Sequence, residues 1–278
     1  MSPEVSLDTL KVAVCQMTSI DDPEYNLIQM AELLDRIPKT SQARIAFFPE
    51  NCLYMRIKEG EKIAGFKLSD PIFKKVEDLA QANRVALHLG SVPLVIDDKL
   101  FNCSVFIGED GKARPTYRKN HLFDIELLGQ TPIRESDVFS RGDGPSSLAV
   151  YGWSFGQTIC YDLRFSELYS KYALEGVDVL LVPAAFLVKT GQAHWEVLLR
   201  ARAIESQCYV IAAAQAGSHF GVNGGQRETY GHSVIIDPWG KIEWIGSSGS
   251  PEVGVFDLVK SKIDQVRLQI PMKNHRRV

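Results

Sequence analysis

The chain has 278 residues, of which 45% are hydrophobic and 23% charged, with a formal net charge of -3. Such a chain can bury a sizeable core, and its charge gives no reason to expect nucleic acid or an anionic membrane as a partner. Five cysteines (Cys15, Cys52, Cys103, Cys160 and Cys208), an odd count without Cys-x-x-Cys spacing, argue against a disulfide framework or a zinc site and for a reducing compartment.

Residues 1–6 lack the basic and apolar regions of a secretory signal, and no apolar run has the length of a bilayer span, so a cytoplasmic location is expected. Residues 10–16 read as a strand. Residues 23–37 read as a helix, because Leu27, Met30, Leu33, Leu34 and Ile37 recur at helical spacing. The apolar run 45–48 meets Pro49, which cannot continue a central ladder, so the chain leaves the sheet with Glu50 at its mouth. A helix over 71–83 precedes a strand over 85–89, and residues 100–112 read as a hairpin and turn. Residues 156–160 form a short apolar strand ending on Cys160; a sharp turn and a helix over 165–175 follow. Then come a strand over 179–182, a helix over 193–206 and a strand over 208–213. The glycine-rich stretch 217–226 does not match a phosphate-cradling pattern and reads as a flexible surface loop. Strands over 232–236, 242–245 and 253–256 finish the pattern. With no repeat or linker, a single domain over 1–278 is expected, its core at about 10–258 and a C-terminal tail at 259–278. Mixed strands with helices outside imply layered α/β packing.

A cysteine at the end of a strand is most often small, buried and inert. Here the following turn lifts the thiol from the sheet edge, near backbone N–H groups that favour a thiolate and a negatively charged intermediate. Glu50 is placed to take the thiol proton. Lys119, embedded in the aromatic and apolar segment 117–124, is suited to hold an oxyanion and keep the thiolate ionised.

The segments around Glu50, Lys119 and Cys160 resemble the Glu–Lys–Cys motifs of the nitrilase superfamily of carbon–nitrogen hydrolases, in the family's chain order. The resemblance runs from Val12 to Arg277. Residues 119–124, 134–136, 191–196, 200–205 and 230–233 resemble the Nit branch, and 207–210 with 227–232 favour its deaminated-glutathione amidase type over omega-amidase. It implies a four-layer α-β-β-α sandwich with two mixed sheets, and a homodimer through helix faces, with 166–175 and 193–206 as candidate interface helices. It implies Cys160 as nucleophile, Glu50 as general base and acid, and Lys119 as oxyanion stabiliser. A second site glutamate is implied at Glu135, with Glu126 as the alternative. Neither metal nor organic cofactor is implied. The sequence departs from the family at Asn120, where an apolar residue is usual, and at Ser166 and Arg141, where proline is common.

The substrates implied are small amides that carry carboxylates. Arg164, Arg200, Arg202 and Arg227 are the guanidinium candidates for them. Arg164 is equally suited to an ion pair with Asp162 or Glu167, and Arg200 and Arg202 to bracing a helix. The Tyr161 backbone N–H is placed as a second oxyanion donor, and Phe186, Thr190 and His194 as pocket lining. His121 and His232 read as structural, and His194 is superfluous as a base beside Glu50.

Overall fold

The computed structural model describes residues 8–58, 60–126 and 132–277; the segment read for signal features, residues 1–6, lies outside them. Strand β1 (Thr9–Gln16) leads into helix α1 (Pro23–Asp35), which starts where Asp22 accepts the Glu24 and Tyr25 N–H groups and Pro23 presets the first turn. Strand β2 (Ile45–Phe47) and helix α2 (Pro71–Asn83) precede the long antiparallel strands β3 (Ala86–Ile96), β4 (Lys99–Ile107) and β5 (Ala113–Arg118). A small two-stranded ladder follows, β6 (Asp124–Ile125) with β7 (Ile133–Arg134). Then come β8 (Ser147–Val150), β9 (Trp153–Gln157), α3 (Ser166–Glu175), β10 (Val179–Leu181), α4 (Val188–Ser206) and β11 (Tyr209–Ala212). The hairpin β12 (Ala216–Phe220) and β13 (Gln226–Tyr230) precedes β14 (Val234–Ile236), β15 (Ile242–Ile245), β16 (Glu252–Val259), α5 (Lys260–Gln269) and α6 (Met272–His275).

Two six-stranded sheets result, ordered β16-β1-β2-β3-β4-β5 and β15-β14-β11-β10-β9-β8, each mixing parallel and antiparallel pairs. Alternation along the central strands assigns their layers. Val12, Val14, Ile45 and Phe47 of the first sheet share one core with Val179, Leu181, Tyr209 and Ile211 of the second, so the sheets pack face to face. Ala13, Cys15 and Ala46 point the other way, onto Met30, Leu33 and Phe73 of α1 and α2. Leu180, Val210 and Ala212 meet Tyr169, Trp195 and Leu199 of α3 and α4. The molecule is therefore a four-layer α-β-β-α sandwich.

Three expectations are corrected. Residues 217–226 are not one loop: Ala216–Phe220 pairs with Gln226–Tyr230, and only 221–225 turn between them. Helix α4 begins at Val188, five residues earlier than the periodicity suggests. The segment after 258, expected as a tail outside the core, contributes to it. Ile263 of α5 is buried between the sheets' core residues, and Arg267 donates to the carbonyls of Gly176, Val177 and Gln207. Among the described residues no helix is long and apolar enough to cross a membrane.

Candidate active site

Glu50 owes its position to an irregularity in β3. The register shifts between Leu89 and Val92, and the chain after β2 closes onto that bulge: Phe48 N–H donates to His88 O (2.9 Å), and Asn51 N–H to Ser91 Oγ (3.0 Å). Gly90 has to be glycine, since a Cβ there would lie 2.2 Å from the Phe48 carbonyl oxygen. The Glu50 carbonyl accepts from Gln215 Nε2 at 2.9 Å. Lys119 follows β5, with its N–H on Asn102 O and its carbonyl on Gly142 N–H, both 2.9 Å.

Cys160 opens a 3-10 turn, Cys160–Arg164, just past β9, with φ of +50° and its N–H on Pro183 O at 2.9 Å. A non-glycine residue is strained there, a conformation that clusters at functional sites. The fully buried Asp162 carboxylate fixes the turn. It accepts from Ile159 N–H (2.9 Å), Tyr117 OH (2.7 Å), His121 N–H (2.9 Å) and lies 2.6 Å from His121 Nδ1. It thereby ties the lysine-bearing segment to the cysteine turn.

These elements converge on one cluster. Lys119 Nζ donates to Glu50 Oε1 at 2.8 Å and lies 2.9 Å from Glu135 Oε2. Glu50 Oε2 takes the Ala185 N–H at 2.9 Å, and Glu135 Oε2 takes the Phe123 N–H at 2.6 Å. The Cys160 thiol and the Glu50 carboxylate act on one another, the thiol helping to hold the carboxyl low and the carboxylate pushing the thiol up. Glu135 is thus the second glutamate at the lysine. Glu126, the alternative, is 75% exposed and stands 3.9 Å from Arg134.

Burial drives the protonation states and the ion cluster answers it. For Glu50 burial pulls upward, but the Lys119 ammonium and hydrogen bonds from Cys160, Lys119 and Asn102 hold the carboxyl below its usual value. Burial likewise opposes a charged Lys119, yet Glu135 and Glu50 keep its pKa well above the ordinary one. The Cys160 thiol is pushed well up by burial and by Glu50, with only Lys119 among the charges pulling it down. This corrects the expectation of a resting thiolate: before substrate the proton sits on sulfur, beside an ionised carboxylate ready to take it. Removing one member of so buried an ion pair leaves an uncompensated charge, worth about 3–5 kcal/mol. Burial also raises Cys52, Cys103 and Cys208 to about 12 and Cys15 further.

The cluster lies at the base of a cleft. Tyr54, Phe123, Phe139, Tyr161 and Phe186 give it apolar walls, and Arg56, Arg164, Thr190 and Arg227 add polar groups. Arg164 makes neither of the ion pairs considered from the sequence. Asp162 is already occupied, and the guanidinium instead sits 5.8 Å from the Tyr161 ring and 5.7 Å from that of Phe186. His194 is exposed and does not line the cleft; its Nδ1 lies 3.2 Å from Arg164 Nη1, so it reaches the site only through that side chain. Arg200 and Arg202 brace helix α4, donating to Gly240 O and Leu163 O. Asn120 turns from the ammonium to accept the Gly144 N–H at 2.9 Å. His121 stacks on Phe165 with ring centroids 3.7 Å apart, and His232 on Tyr230.

Sequence reading passed over Asn102. Its Nδ2 donates to both Glu50 Oε1 and Glu135 Oε1 at 3.0 Å, while its Oδ1 is buried without a partner. Such an oxygen costs about 1–3 kcal/mol. The signal was a polar residue in the apolar run of β4.

The profile of the Carbon-nitrogen hydrolase family matches residues 11–268. The deaminated glutathione amidase of Bos taurus is 40% identical over 273 residues, covering 96% of this chain and 81% of its own. The Caenorhabditis elegans NitFhit protein superposes with a TM-score of 0.84 at 33% identity, over 97% of this chain and 65% of that one. Saccharomyces cerevisiae Nit3, of branch 10 of the nitrilase superfamily, gives 0.80 at 27% identity over 97% of each chain. With this fold, this cluster and these relatives, the chain belongs to the carbon–nitrogen hydrolase family and is an enzyme of that class.

Proposed function

We propose that the enzyme is an amidase that cleaves small, carboxylate-bearing amides of the deaminated glutathione kind through a thioester on Cys160. The observation that carries this is the convergence of Cys160, Glu50 and Lys119 in one cleft, with the Lys119 ammonium on the Glu50 carboxylate. As sulfur attacks the amide carbon, Glu50 takes the thiol proton and the carbonyl electrons move to oxygen. The Lys119 ammonium and the Tyr161 N–H, at the unsatisfied start of its 3-10 turn, stabilise that oxygen. The intermediate collapses, the C–N bond breaks, and Glu50 gives its proton to nitrogen, releasing ammonia or an amine. Water then attacks the thioester, with Glu50 as base, and the proton returns to sulfur. Glu135 holds Lys119 and accepts from the substrate amide. Arg164 and Arg227 on the cleft wall suit a substrate carboxylate, and Phe186 and Thr190 its chain.

The name of the bovine relative supports the substrate class. The exposed Leu174, Val197 and Ile204 of α3 and α4 support a homodimer through those helices, and five free cysteines support a reducing, cytoplasmic setting. Product release should be measured on deaminated glutathione, α-ketoglutaramate, a simple nitrile and a carbamoyl amino acid, for the wild type and Cys160→Ala. Fastest turnover is expected on deaminated glutathione, with the variant folded but at background. Preference for the nitrile or carbamoyl compound would overturn the substrate class, and an active C160A the mechanism.

A further inference from the structure

Asn102 lies on β4 beneath the cleft, 2% exposed and not among its lining residues. Its one side-chain nitrogen spans two carboxylates, 3.0 Å from Glu50 Oε1 and 3.0 Å from Glu135 Oε1. Lys119 Nζ donates to the same two oxygens, at 2.8 and 3.1 Å. An amide and an ammonium therefore fill the lone pairs of Glu50 Oε1 and leave Oε2, which carries only the Ala185 N–H, with capacity for one more donor. The reverse amide orientation would set Oδ1 against two anions. That explains why Oδ1 stays buried without a partner: the site keeps both N–H bonds of Nδ2 at the expense of the oxygen.

We propose that Asn102 is a positioning residue for this reaction, selecting which oxygen of Glu50 receives the thiol proton and holding two adjacent carboxylates in place. The inference rests on the reading of Glu50 as the base. Besides the Ala185 N–H, four side chains bear on that carboxylate: Lys119 from the end of β5, Glu135 from the 3-10 turn Glu135–Asp137, Cys160 from the nucleophile turn, and Asn102. Arg56, Arg164 and Arg227 line the cleft wall. Of the neutral groups facing Glu50, only Asn102 also binds Glu135, so its removal weakens the support of both anions at once. The Glu50 carboxyl becomes easier to protonate.

The test is the pH dependence of kcat/KM and the kcat and KM of Asn102→Ala and Asn102→Asp, with Glu50→Gln and thermal unfolding as controls. In N102A, kcat should fall roughly 10- to 100-fold, the worth of one charge-assisted hydrogen bond, with KM within about threefold. The acid limb, which reports the base in the free enzyme, should move to higher pH. In N102D a third carboxylate should move it further. An acid limb unmoved in both variants overturns the proposal, as does a loss confined to KM, or loss of the fold in both, which would mark Asn102 as structural. An active Glu50→Gln instead overturns the reading of Glu50, whatever the Asn102 variants do, so the two failures are distinguishable.

Discussion

At the scale of single residues, the site is a set of side chains fixed before substrate arrives, and Asp162 shows how. One buried carboxylate absorbs donors from Ile159, Tyr117 and His121, so the nucleophile turn and the lysine segment share an anchor. Asp162→Asn keeps the shape but loses acceptor capacity, and should cost about 2–4 kcal/mol in urea unfolding while lowering turnover. An unchanged midpoint would show the anchor to be idle. The protonation pattern predicts a second result. Cys160 should be the one thiol alkylated by iodoacetamide in the folded protein, because of the five it is the one that lines the cleft, beside a carboxylate able to take its proton, while burial holds the other four neutral inside the core. Glu50→Gln should slow that alkylation roughly 10- to 100-fold by removing the proton acceptor; an equal rate would place the acceptor elsewhere. Glu50, Lys119 and Cys160 were legible in the sequence because each stands at a local discontinuity: a proline ending a strand, a lysine among aromatics, a cysteine before a turn. Asn102 has no such mark. Its partners are 52 and 33 residues away, and only the folded sheet brings them to it.

At the scale of elements, periodicity located most strands and helices to within a residue or two and failed where tertiary contact overrode it. Helix α2, expected over 71–83, is Pro71–Asn83. Helix α4, expected over 193–206, begins at Val188 and so includes Gly191, although glycine weakens a helix interior. The structure supplies the reason for the glycine: a Cβ there would lie 2.2 Å from the Tyr230 ring, so the helix passes against β13 at a distance no side chain allows. Gly191→Ala should therefore destabilise despite its better helix propensity, by about 1–3 kcal/mol from overpacking. A gain in thermal midpoint would contradict the close approach. The hairpin β12–β13 was hidden for the opposite reason. Its glycines and polar residues read as a loop, and pairing between Ala216 and Tyr230 is what makes it a ladder. The last helices were unreadable because their role is to cap others: Arg267 and Arg276 donate to carbonyls at the C-terminal ends of α3 and α4.

At the scale of the whole molecule, two sheets share one core and each keeps its own beneath a helical layer, and most of the polar side chains buried there are hydrogen-bonded. Two are histidines. Burial depresses His88 and His219 to about 4. The unfolded imidazoles titrate near 6.5, so between those values the unfolded chain binds more protons. Stability is therefore complete above about pH 6.5 and declines as the pH falls toward 4, by about 3 kcal/mol for each histidine. Thermal midpoints at pH 7 and pH 5 should show the drop, and His219→Gln should flatten it; an identical slope would assign it to other groups.

The antiparallel pairing of Thr9–Gln16 with Glu252–Val259 has a consequence for synthesis. Strand β1 keeps one edge open until β16, far along the chain, has been made. Closing it is a contact of large sequence separation, the kind that slows folding. Until then the nascent chain carries a bare, apolar ladder edge, able to recruit strands from neighbouring chains.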